Sequence, residues 1–342
     1  MKPVLRAVRR AGLGLATIAA LTATPLKAMA QSAPTPTPPA LPADAPPITG
    51  MDGSAVVQEL LVIGRRPGPA LWRVTRGDSE VVIVGGLSPL PHSLQWDTIR
   101  VEHALEDSTV LFLSPNKAHV GVFDAASMFM RQGALKPAHG ADMETTLPPA
   151  LRARFIRVRD SFHGDPKHYQ HWKPALAGLF LVGDFHRAAG LSDDKPGTTI
   201  AKLARAANAE VRTVGAVNVK PLFDAAANMS DAQNQACLSA ALDDIERESA
   251  RARPAAAAWA VGDLRGVREN SSASLVDGCL LQLPGVQNIV ESGTRDAVQT
   301  IHAALNRPGR SVAVIDLTFL LRKNGVLDRL KVEGDQITVP LD

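Results

Sequence analysis

The stretch VVIVGGLSPLP, residues 81–91, decides the reading of the fold. A run of β-branched apolar residues is strand material, Gly85-Gly86 stops it, and Leu87-Ser88-Pro89 turns the chain. A strand ending at a glycine turn is where an α/β enzyme often mounts a working side chain. Working outward, LWRVTR (71–76) precedes it across Gly77-Asp78, as in a hairpin. Asp97–Leu105 has helical spacing, and TVLFLS (109–114) is a buried strand. The same order of strand, turn, helix and strand returns near the end, as SVAVIDL (311–317), Phe319–Leu330 and QITVP (336–340). Two related halves are expected, with equivalent turns meeting in space.

Between the halves lie segments with apolar residues spaced three and four apart, which predict helices over Pro149–Phe162, Pro174–Ala189, Thr198–Ala207 and Thr294–Leu305. The helix over 198–207 feeds a strand, EVRTVGAV (210–217). Ser230-x-x-Gln233 is a capping box that opens a long helical region, which Pro254 is expected to break or kink. Trp259 is expected to plug this helical insertion onto the sheet. The fold class is α/β (α+β): a central mixed β-sheet covered by helices, with a helical insertion.

Residues 1–30 read as a signal peptide. Lys2, Arg6, Arg9 and Arg10 precede an apolar stretch too short to span a bilayer, and Ala28-Met29-Ala30 is a cleavage signal that starts the mature chain near Gln31. This segment carries five of the 37 basic residues and none of the 34 acidic ones, so the remainder has a net charge near −2. The basic balance belongs to the signal and gives no support to nucleic-acid binding. The expected location is the periplasm, with no transmembrane helix in the mature chain. Residues 31–47 hold seven prolines and cannot build a core, so 31–65 is a linker carrying one short strand, ELLVIG (59–64). That segment is similar to the strand-donating segment of TonB-dependent receptors, although an edge strand of the domain is the simpler reading. The compact domain spans 70–342.

The only cysteines, Cys237 and Cys279, are bound for an oxidising compartment, and a disulfide is expected. Ser88 and Ser114 each close a strand, but Pro89 and Pro115 follow them. Proline has no N–H to place in an oxyanion hole, so a hydrolase nucleophile is disfavoured and hydroxyls that cap turns are expected. A Ser-His-Asp set using His92 or His302 with Asp316 remains an alternative. His163, His168 and His171 lie close in sequence, yet a surface segment bounded by Pro166 and Pro174 explains them without metal.

The segments PALWRVTRGDSEVVIVGGLSPLP, TIAKLARAANAEVRTVGAVNVKPLFDAAANMSDAQ, AWAVGDL and TRDAVQTIHAAL…SVAVIDL…GVLDRL, in this order, resemble the TraB/GumN family. The family is related to Tiki-type metalloproteases and to an erythromycin-esterase- and ChaN-like group. The resemblance implies that sheet fold over about 70–342 and a divalent-metal site built from four motifs. These are G-x-x-H after the first long strand, a glutamate ending the next, an Arg-Asn pair on a late helix, and a second histidine turn. Here the first reads Gly85-Gly86-Leu87-Ser88, Ser114 stands at the glutamate, and Arg295-Asp296 keeps half of the pair. The last histidine falls at Thr318 or Phe319 beside Asp316, and a further acidic position falls at the apolar Gly215-Ala216-Val217. Serine is a poor metal ligand. The expectation is a degenerate pocket of Ser88, Ser114, Arg295, Asp296 and Asp316, with no cofactor, serving an envelope protein or small ligand. The alternative is a hydrolase of peptide or ester bonds whose displaced metal is held by Asp296, Asp316 and a histidine.

Overall fold

The structure is a computed structural model. It describes residues 68–114, 118–119, 129–193, 196–215, 217–218, 220–271, 279, 283 and 286–338; the signal segment, the Pro-rich linker and ELLVIG lie outside them. Six strands form one sheet: β1 Leu71–Arg76, β2 Ser79–Gly86, β3 Ser108–Leu113, β4 Glu210–Thr213, β5 Gly309–Asp316 and β6 Gln336–Thr338, in the order β6-β1-β2-β5-β3-β4. β1 pairs antiparallel with β2 and β6, while β2, β5, β3 and β4 pair in parallel.

The uninterrupted apolar run of β2 follows from its central position. Val81 and Ile83 face one layer with Trp72, Ala313 and Ile315, while Val82 and Val84 face the other with Leu111, Val312 and Val314. A strand buried on both faces needs no polar alternation. The second layer is closed by α1 (Ile99–Glu106) and by the helix over Gly197–Ala206. Two further helices, α2 (Pro149–Ser161) and α3 (Pro174–Ala188), pack with the first half of the long helix over Asp231–Ala260 in a separate cluster holding Phe155, Tyr169, Leu181 and Leu242. Further along the chain are the helices α4 (Gly197–Ala206), α5 (Asp231–Ala260), α6 (Val286–Leu305), α7 (Leu317–Leu321) and α8 (Val326–Val332), besides other short helical segments. The end of α5 and α6 to α8 cover the first layer.

β2 and β5 are neighbours over their whole length, with Gly86 level with Asp316, so the two turns do meet. Their crossovers run in opposite directions. β2 reaches β3 through α1 on one face, passing beyond β5; β5 reaches β6 through α7 and α8 on the other, passing beyond β2 and β1. Such a reversal leaves a crevice beyond the carboxyl ends of the strands, where ligands of open α/β sheets bind.

Three expectations need correction. α5 is not broken at Pro254. Proline removes one helical hydrogen bond, but Leu238 and Leu242 pack before it and Ala256 and Trp259 after it, so tertiary contacts hold both sides in one helix. The capping box that opens α5 is present. The single helix expected over Phe319–Leu330 is two, because Arg322 is extended and Asn324 takes a φ of 58°. EVRTVGAV supplies only β4: Gly215 turns the chain at φ 65°, and Val217–Asn218 then pair in parallel with Ala118–His119 outside the main sheet. Cys237 and Cys279 lie at disulfide distance, Cα–Cα 5.1 Å, in a cluster with Ala175, Ala241, Leu283 and Val286. Among the described residues no helix is long and apolar enough to cross a membrane.

Candidate functional site

At the carboxyl ends of β2, β3, β4 and β5 lies a cavity of about 430 Å³, floored by Leu113 and Val314 and walled by α4. Its mount is rigid. Trp259 Nε1 donates to the Gly85 carbonyl at 2.7 Å, and a Cβ on Gly85 would lie 2.8 Å from Trp72 Cζ3 and 2.6 Å from Leu317 Cδ2. Only glycine lets the β2 end approach these side chains. Trp259 is buried, so the sequence expectation that it plugs the helical insertion onto the sheet agrees with its position.

Three of the five pocket residues expected from sequence come together here. Ser88 follows β2 and its Oγ donates to the Asp193 carbonyl at 3.1 Å. Ser114 follows β3 and its Oγ donates to the Val314 carbonyl at 3.2 Å. Neither hydroxyl caps its own turn as the sequence suggested: Ser88 ties the end of β2 to the segment after α3, and Ser114 ties the end of β3 to β5. Asp316 ends β5, where its Oδ1 accepts from the Thr318 N–H at 2.8 Å and caps α7. Burial pushes the Asp316 carboxyl up from the usual range, against the downward pull of Thr318.

Arg295 and Asp296 do not line the cavity. Arg295 is exposed on α6, 4.0 Å from Glu291 one turn away. Asp296 backs onto the turn after β4, where a Cβ on Gly215 would come 2.6 Å from its Oδ2. That contact, with the positive φ of 65°, gives a physical reason for glycine at this turn. The other groups weighed in the sequence lie elsewhere. His302 pairs with Asp335 at 2.7 Å and with Glu333 at 3.1 Å, beside Arg76 at the opposite edge of the sheet, so no Ser-His-Asp set forms through it with Asp316. His168 bonds Asp184 at 2.7 Å and stacks on Phe180, while His171 meets Gln170.

Sequence reasoning missed a polar chain on the cavity rim. His186 on α3 is buried, with Nδ1 3.1 Å from Asp193 and Nε2 2.7 Å from Glu248 on α5. Burial alone would favour neutral imidazole, but carboxylates on both ring nitrogens demand two N–H donors and push its pKa up to about 9. The His186 contact in turn holds the Asp193 carboxyl below its ordinary value. The pairing joins distant elements, and the residues GDFHRAAGLSDD (183–194) carry no local signal for it. Lys202 and Arg205, on the face of α4 that lines the cavity, were missed as well.

A divalent metal is a poor match to these donors. Two hydroxyls and one carboxylate already engaged as a helix cap are what the strand ends offer, and the carboxylates at His186 grip opposite sides of one ring rather than a common point. Among the described residues no three His, Cys, Asp or Glu side chains converge as metal ligands. No curated protein and no solved structure matches the chain. The family model described as TraB/PrgY/gumN matches residues 70–339, from β1 through β6. With most of its length and every strand of its sheet inside that match, the chain belongs to the TraB/PrgY/gumN family.

Proposed function

We propose that this is an exported cell-envelope protein whose TraB/GumN domain no longer carries metal-dependent hydrolase chemistry and instead binds a small ligand in the strand-end cavity. One observation carries the reading: where a metal site would need imidazole and carboxylate, the strand ends present Ser88 and Ser114, and their one acid, Asp316, caps α7 through Oδ1. The position supports binding, since a cavity at a crossover reversal is the usual ligand crevice of such sheets. The leader-like residues 1–30 and the Pro-rich tether support export to the periplasm, and the near-neutral mature charge argues against nucleic acid. An envelope partner engaged through the ELLVIG strand is a secondary role; deleting residues 31–65 without loss of a co-purifying partner removes it.

Thermal unfolding with and without Mn, Zn, Co or Ca tests the loss of metal chemistry. A ligand of the native state must raise its stability. The expected outcome is no saturable rise in Tm with any of the four. A rise that chelation reverses and that Asp316→Ala or Asp296→Ala abolishes would overturn the loss of the metal site and favour the alternative, a hydrolase of peptide or ester bonds with a displaced metal.

A further inference from the structure

We infer that the strand-end cavity receives a small organic anion, its carboxylate or phosphate head seated between Lys202 and Arg205 and its body donating hydrogen bonds to Ser88 and Ser114. The inference rests on the cavity being a binding site rather than a metal centre. α4 turns one face to the cavity, with Thr198, Ala201, Lys202 and Arg205 spaced as helical neighbours along the wall. Among the described residues neither the Lys202 nor the Arg205 side chain has an ion pair or hydrogen bond. Arg310, Arg329 and Arg154, by contrast, are paired with Glu80 and Asp107, with Glu291, and with Asp243 and Glu246.

Neither acid in the lining is ion-paired with the two cations. The Asp193 carboxylate faces His186, and that of Asp316 faces the Thr318 N–H. Lys202 and Arg205 thus bring cationic donors to the cavity wall that no lining carboxylate pairs with, which favours carboxylate or phosphate oxygens there. The serines constrain the rest of the ligand. Each hydroxyl proton is spent on a backbone carbonyl, Asp193 for Ser88 and Val314 for Ser114, so both oxygens are left as acceptors. A complementary ligand therefore bears hydroxyl or amino donors beside its anionic head. Leu87, Leu113 and Val314 supply the apolar wall against which its carbon skeleton rests.

The test is calorimetric titration of the protein, as purified from expressing cells, at constant ionic strength. Three probes share a three-carbon skeleton: glycerol 3-phosphate, glycerate and neutral glycerol. Saturable binding is expected for at least one anion and not for glycerol, and which anion binds identifies the head group. Lys202→Ala with Arg205→Ala should weaken it tenfold or more, Arg205→Lys should retain most of it, and Arg212→Ala, outside the cavity, should leave it unchanged. Lys202 and Arg205 are exposed, so the double variant should keep the unliganded Tm of the wild type, and Lys202→Glu provides a second, charge-reversing variant. Absence of saturable binding by both anions, or undiminished binding by the double variant, overturns the inference. If both anions fail and divalent ions leave Tm unchanged, only the ligand class is wrong; a metal-dependent rise in Tm overturns the binding-site reading as well.

Discussion

The sheet and the helical insertion meet at one cavity but are held together by different forces. Around β2 and β5 nearly everything buried is apolar, and each strand presents side chains to both layers. The insertion buries polar and ionic groups instead: Arg159 with Glu144, His186 between Asp193 and Glu248, and Asn234 bonded to the Met229 carbonyl. Close packing fixes the strand ends whatever side chains they display, so ligands can change there at little cost to the fold. Polar networks have no such tolerance, because removing one member strands its partners.

Trp259 is where the two regions join, and removing it should have the largest effect. Trp259→Ala deletes a buried indole from the first layer and orphans the Gly85 carbonyl; a loss of about 4 kcal/mol is expected in denaturant unfolding. Trp259→Phe should lose less, since most of the volume remains and chiefly the hydrogen bond goes. A loss under 1 kcal/mol for Trp259→Ala, by the same scale of core truncations, would mean that the insertion and the sheet are not coupled through this residue.

Next comes the cysteine pair, which acts within the insertion and its flank. Cys237 and Cys279 are 42 residues apart, and closing such a loop stabilises by about 4 kcal/mol on the chain-entropy model. Cys237→Ser with Cys279→Ser should lower stability by roughly 2 to 4 kcal/mol, as should reduction of the wild type. Equal Tm with and without reductant would contradict a formed bridge.

His186 gives a pH signature that the apolar layers do not share. Its folded pKa is raised above the ordinary 6.5 to about 9, so its contribution is complete below about 6.5 and disappears as pH rises through about 9. At most about 3 kcal/mol is at stake, discounted for the exposed side of Asp193. Stability of the wild type should fall between about pH 6.5 and 9, and His186→Gln should flatten that decline while lowering stability at neutral pH. The smallest change belongs to the strand ends: Ser88→Ala removes one hydrogen bond from an exposed hydroxyl and should cost under about 1 kcal/mol.

The same contrast explains what could be read from sequence. β2, β5 and the hairpin before β2 were legible because their apolar runs and glycine stops are local signals, and their likeness placed the two turns together. Ser88, Ser114 and Asp316 were legible as strand ends. Arg295 and Asp296 were misplaced because a helix position says nothing of which way its side chains face. The split of α7 from α8 depended on the backbone of Arg322 and Asn324, and the continuity of α5 through Pro254 on packing from both sides. His186, Asp193 and Glu248 come from three elements, so only the fold reveals their pairing.

On the function proposed, the strand ends keep the mount that the family resemblance implies without the metal ligands it implies. Elemental analysis of the protein purified without chelators tests this most directly. The prediction is far less than one Mn, Fe, Co, Zn or Ca per chain, unchanged in Ser88→Ala and Asp316→Asn. Close to one metal per chain, lost in Asp316→Asn, would contradict it.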